Sequence, residues 1–86
     1  MNDKHLEIRA IITSMSPERA IDYISAFKLP EKEKTCIIEK DVNDLSYQQI
    51  CDKYGLSHGV IKNARQRAYA KMADAIAYRK ETGREQ

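Results

Sequence analysis

Within ten residues the chain sets His58, Gly59, Lys62, Asn63, Gln66 and Arg67 around Ile61 and Ala64. These polar types match the edges of base pairs in a major groove. Arginine forks to guanine, asparagine or glutamine pairs with adenine, and lysine reaches either a base or a phosphate. On a helical wheel with Ile61, Ala68 and Met72 facing inward, Gly59, Lys62, Asn63, Gln66 and Arg67 point away, and His58 projects from the helix start. Gly59 has no side chain and lets a backbone come close. Upstream, Ser46, Tyr47 and Gln48 open another helix, where hydroxyls, an amide and free backbone N–H groups suit phosphates. Lys71, further along the basic helix, is a fourth candidate backbone contact. The chemistry so assembled is that of double-stranded DNA binding.

Other chemistries find no support in the residues. The carboxylates are scattered over solvent faces, no glycine-rich phosphate loop exists, and neither His5 nor His58 has a nucleophile or carboxylate partner in sequence. No catalytic residue and no enzyme activity is expected. Cys36 and Cys51 stand fifteen positions apart without a CxxC and with the histidines at unrelated spacings, so neither a metal nor a cofactor is expected. Both cysteines fall on apolar faces, which reads as small buried hydrophobes with reduced thiols and favours a cytoplasmic protein. No run approaches the ~20 apolar residues of a membrane span, and no signal-peptide layout opens the chain. Tyr69 and Tyr78 sit at helical spacing and read as packing or rim residues rather than a base-stacking platform.

The elements that must position these residues follow from composition and punctuation. Eighty-six residues make one domain, and 42% hydrophobic with 33% charged residues, only three glycines and two prolines suit a helical globule. Residues 1–57 hold eight Lys/Arg and ten Asp/Glu, whereas residues 58–86 hold seven and three, so a basic helix rides on a mildly acidic body. Ile8, Ile11, Ile12 and Met15, with Leu6 beside them, predict a short amphipathic helix over Asp3 to Met15. Ser16-Pro17-Glu18 starts a second helix, with Ala20, Ile21, Ile24 and Phe27 as its apolar stripe. Leu29-Pro30-Glu31 repeats the device and opens a third helix to about Asp41, with Cys36, Ile37 and Ile38 turned inward and Val42-Asn43-Asp44 as the break.

Leu45 then staples a fourth helix, capped by Ser46 and running to Tyr54. Gly55 occupies the left-handed position that ends it, and Leu56-Ser57 caps a long fifth helix from His58 to about Lys80. The all-α arrangement is thus about five helices with a helix-turn-helix formed by the last two. Its shared core is expected from Ile50, Tyr54, Leu56, Ile61 and Ala64, with Cys51 where the two helices approach closest.

The stretch from Leu29 to Met72 resembles region 4 of the sigma-70 family of bacterial transcription initiation factors. The resemblance is carried by Leu29-Pro30-Glu31, by Leu45-Ser46-Tyr47 with Ile50, by Gly55-Leu56-Ser57, and by Gly59, Ile61, Lys62, Arg67, Ala68, Lys71 and Met72. Effector domains of the LuxR type share the latter half of the pattern. The family usually has a leucine where this chain has Arg65, so the core seam either shifts toward Ala64 or pairs Arg65 with an N-terminal acid. A complete sigma factor also carries a region that recognises the −10 element, for which these 86 residues leave no room.

The resemblance implies a sequence-specific transcription regulator of the kind found in phages and mobile elements. Residues 1–28 are expected to form N-terminal helices for packing or dimerisation, and residues 29–86 the sigma-like domain. The partners implied are double-stranded DNA, a second copy of the chain and RNA polymerase. The competing readings are a module that binds RNA polymerase or a sigma-like protein, and an accessory factor for DNA packaging or recombination. A homodimer is expected because one helix-turn-helix reads only a few base pairs. Two surfaces suit the pairing: the N-terminal helices, or the far end of the long helix with Met72, Ala75, Ile76 and Arg79.

Overall fold

A computed structural model of the chain describes the backbone of residues 3–83 and the side chains of residues 5–78. It is all-α, as the sequence predicts. Helices α1 (Asp3–Ser14), α2 (Pro17–Ser25) and α3 (Glu31–Ile37) lead into a π-helical turn, Ile38–Val42, followed by α4 (Tyr47–Tyr54) and α5 (His58–Gly83).

Most boundaries have the local cause that the residues announce. Ser16 Oγ accepts from the Arg19 N–H at 3.4 Å, with Pro17 in the first turn of α2. At α4 the cap is reciprocal: Ser46 Oγ accepts from the Gln49 N–H at 3.1 Å, and Gln49 Oε1 accepts from the Ser46 N–H at 2.8 Å. Gly55 ends α4 at φ +68°, and Ser57 Oγ receives the Val60 N–H at 3.2 Å to start α5.

The third helix departs from expectation. It does not run as an α-helix to Asp41 but widens after Ile37, and the Asn43 N–H reaches back five residues to the Ile38 carbonyl at 2.9 Å. The wide turn brings two acids inward together. Glu39 is 4% exposed and the Asp41 side chain 1% exposed, each with a cationic partner from another helix.

Two clusters make the interior, and α5 passes through both. Cys36, Ile50, Ile61 and Ala64 close the helix-turn-helix, with Leu45, Tyr47, Cys51 and Leu56 packed around them. Ile8, Ile12, Ala20 and Ile24 from the first two helices meet Leu29, Ile37, Ala68, Tyr69 and Met72 in the other. Each such isoleucine contributes roughly 2–3 kcal/mol by leaving water. The segment from Leu29 onward is therefore not closed without α1 and α2, since Ala68, Tyr69 and Met72 would lose that cover. Tyr54, expected in the shared core, is 42% exposed instead, and its hydroxyl donates to Glu39 Oε2 at 2.6 Å.

Both cysteines are free; Cys36 is buried, and burial pushes its thiol pKa up. Beyond the core α5 continues, 26 residues or about 39 Å in all, which accounts for the long 47 Å dimension. Met72 is buried and Ala75 and Ile76 half-buried, whereas the side chain of Arg79 lies outside the described residues. No helix among the described residues is long and apolar enough to cross a membrane.

Candidate nucleic-acid interface

The turn at Gly55 sets α4 against the first half of α5, and the buried side of α5 is fixed by Ile61, Ala64, Arg65, Ala68, Tyr69 and Met72. That leaves His58, Gly59, Lys62, Asn63, Gln66 and Arg67 exposed, the six residues singled out for the helix from sequence. An open groove of about 770 Å³ runs along this face, with Lys62, Asn63, Gln66 and Arg67 on α5 and Tyr47 and His5 as its walls. Among the described residues neither Lys62 nor Arg67 takes part in an ion pair. A Cβ built on Gly59 meets nothing within 4 Å, so nothing within the folded chain demands glycine there.

His58 is less isolated than its position at the start of the helix suggests. Its Nε2 comes within 3.4 Å of Gln48 Oε1, and its ring lies 5.8 Å from that of Tyr47. Gln48 in turn donates to Asp52 at 2.9 Å. Ser46, Tyr47 and Gln48 thus stand at the positive end of α4, beside the first turn of α5. Tyr47 is held from below: Arg65 Nη1 donates to its hydroxyl oxygen at 2.7 Å, which leaves the hydroxyl's own proton to donate elsewhere.

Arg65 resolves the departure from the family's leucine. Ala64 takes the core seam, while the guanidinium grips Asp41 with two hydrogen bonds, Nε to Oδ2 at 3.1 Å and Nη2 to Oδ1 at 2.7 Å. Burial works against its charge, but the carboxylate outweighs that cost and raises its pKa further. Flanking it, the rings of Tyr47 and Tyr69 lie 5.9 and 5.8 Å from the guanidinium carbon. Tyr69 is 1% exposed, and burial first, then Asp41, raises its phenol pKa. It is a packing residue, stacked on His5 with ring centres 5.6 Å apart.

Lys71 has a partner within the chain. Its ammonium sits 3.0 Å from Glu33 Oε2 and 2.9 Å from Oε1, on the flank of α5 that packs against α3. Lys71 is not among the residues that line the groove, although on the wheel it falls only about 40° from Arg67; its pairing with Glu33 sets it apart. Three residues that the sequence does not single out stand near this face. Val60, 39% exposed in the first turn of α5, is the kind of side chain that packs on a thymine methyl. His5 walls the groove, and Lys40 lies 5.4 Å over the Tyr47 ring. Only Val60 had a signal, its place beside Gly59; the other two depend on tertiary packing.

On the opposite side Glu39 accepts from Lys53 Nζ and Tyr54 Oη, both at 2.6 Å, and from Asn43 Nδ2 at 2.5 Å. Those bonds, Lys53 foremost and then Tyr54, hold its pKa at about 2 against the opposing effect of burial. The turn is thereby tied to the C-terminal end of α4 through Glu39 and to α5 through Asp41.

No curated protein and no solved structure matches the chain. The family model for sigma-70, region 4, matches residues 28–72, which contain α3, the π turn, α4 and the groove-facing half of α5. With more than half of its 86 residues inside that match, and with the helix-turn-helix that the match implies, the chain belongs to the sigma-70 region 4 family of DNA-binding domains.

Proposed function

We propose that the chain is a sequence-specific transcription regulator that seats the first half of α5 in the major groove of duplex DNA. Gly59, Lys62, Asn63, Gln66 and Arg67 read base edges, with His58 at the leading end. Ser46, Tyr47 and Gln48 hold the phosphate backbone. The observation that carries the reading is the division of α5 into a buried side and an outward face whose cations Lys62 and Arg67 make no ion pair among the described residues. Gly59 supports it too, as a glycine with open space where a groove would approach. A titration of labelled random duplex at low salt tests the reading: binding that weakens steeply with salt is expected, and no binding at low salt contradicts it.

Pairing of two copies on two half-sites belongs to the same reading, since one module reads too few base pairs for a genome. Leu6, 50% exposed, and Ile11, 39% exposed, give α1 an apolar outer edge that suits such pairing. Sedimentation at tens of micromolar checks it, and a free mass of 9.9 kDa with one chain per duplex on DNA excludes it. A monomer would then draw its specificity from docking on RNA polymerase. The work of such a regulator lies in the cytoplasm, where DNA and polymerase are.

A further inference from the structure

Helix α1, which precedes the family match, lies against the groove and carries Arg9 on the face that it turns there. His5 and Arg9 are four residues apart on α1 and share one face. His5 stacks on Tyr69 and walls the groove that Lys62 and Gln66 line. One turn on, Arg9 lies 3.7 Å from Asp41 with its side chain 51% exposed. Lys40, next to Asp41, stands over Tyr47, the residue at the mouth of the phosphate-facing helix.

The charges around Asp41 do not cancel. Its single carboxylate, 1% exposed, lies between two guanidiniums, those of Arg9 and Arg65, and the inner one takes both of its short hydrogen bonds. Arg9 is therefore held in place by a carboxylate that Arg65 already neutralises, so its own charge faces water. Lys40 forms no ion pair among the described residues. Arg9 and Lys40 also line a single shallow groove between α1 and the π turn. Lys40, over Tyr47, links this groove to the one that Lys62 and Tyr47 line, and besides Arg9 and Lys40 the charged residues here are Asp41, already engaged by Arg65, and Asp44.

We propose that Arg9 and Lys40 form a second phosphate-binding strip, which extends the DNA contact of the helix-turn-helix across the π turn onto α1. The partner is the phosphodiester backbone flanking the base pairs that α5 reads, and the strip carries no base preference of its own. This inference rests on the duplex-DNA reading above.

The test is the salt dependence of binding by the full chain to its selected duplex, followed by fluorescence anisotropy from 50 to 200 mM salt. Arg9→Gln and Lys40→Gln should each lower the magnitude of the log–log slope by about 0.9 while leaving the selected consensus unchanged. Arg9→Lys, which keeps the charge, should keep the slope. Lys34→Gln, in the separate groove beside Glu39 and Tyr54, should leave it unchanged as well. Melting curves of all four variants separate lost contacts from lost folding. An unchanged slope in either glutamine variant, with wild-type binding intact, overturns the strip alone. Failure of the unaltered chain to bind any duplex removes the DNA reading and the strip together.

Discussion

Arg65 and Asp41 meet through two hydrogen bonds, of 2.7 and 3.1 Å, with the guanidinium side chain 10% exposed and the carboxylate 1% exposed. The pair joins the middle of α5 to the π turn, and its third donor continues to the Tyr47 hydroxyl on α4. Three elements of the domain are thus registered by one guanidinium. Removing one partner leaves the other buried and uncompensated, the situation in which buried pairs are most costly to break.

Arg65→Leu should therefore destabilise the chain by about 2–4 kcal/mol, although leucine is the residue that the family usually carries here. The figure falls short of a fully orphaned charge because Arg9 still lies 3.7 Å from Asp41. Urea denaturation of Arg65→Leu and of Arg65→Leu with Asp41→Leu checks it. The double variant should recover much of the loss, since two apolar side chains replace a buried pair at little cost. A change below about 0.5 kcal/mol in the single variant would mean that the pair registers nothing.

Much of the domain could be read from its punctuation. Leu29-Pro30-Glu31, the Ser46 cap and Gly55 are local signals with local causes, and Ile61, Ala64, Ala68 and Met72 are placed by period alone. The π turn could not be read this way. Its widening depends on where Glu39 and Asp41 find Lys53, Tyr54 and Arg65, residues 14 to 24 positions away. The same holds for Tyr54, an aromatic in an apolar register that turns outward because a buried carboxylate claims its hydroxyl. The outward face of α5 was legible in advance because exposure there is the complement of the buried stripe. The Glu33 partner of Lys71 could not be read this way, since the wheel does not show which residue α3 brings to it.

Acid should loosen the joint between the turn and α4. The Glu39 carboxyl is lowered from 4.5 to about 2 on folding, so its contribution is complete above about 4.5 and is lost as the pH falls toward about 2. Glu39→Gln should cost about 2 kcal/mol at pH 7, discounted from the full shift because Lys53 is exposed to solvent. The gap between wild type and variant should narrow in denaturation curves taken from pH 5 to pH 2.5. A gap that stayed constant over that range would show that the carboxylate's charge is not what stabilises the joint.

Gly55 should be required for its backbone and not for space. At φ +68° with nothing within 4 Å of a built Cβ, the cost of a side chain is conformational. Gly55→Val should lower stability by about 1–2 kcal/mol and Gly55→Asn by less, because asparagine tolerates the left-handed region. Equal melting temperatures for the valine and asparagine variants would contradict this.

Lys71→Ala should leave the salt slope of DNA binding unchanged, since its ammonium is engaged by Glu33 on the α3 side. Anisotropy titrations at several salt concentrations give the slope directly. A slope reduced by about 0.9 would return Lys71 to the phosphate contacts.

The outward face of α5 should read duplex sequence, and parallel selections from random duplex DNA with the unaltered chain and with Arg67→Ala and Gln66→Ala check this. One enriched consensus is expected for the unaltered chain. Each variant should lose preference at a position of its own, with a cost of roughly 1–3 kcal/mol at the preferred site and little change on other sequences. An unaltered chain that enriches no sequence, or an Arg67→Ala consensus identical to the original, would contradict it.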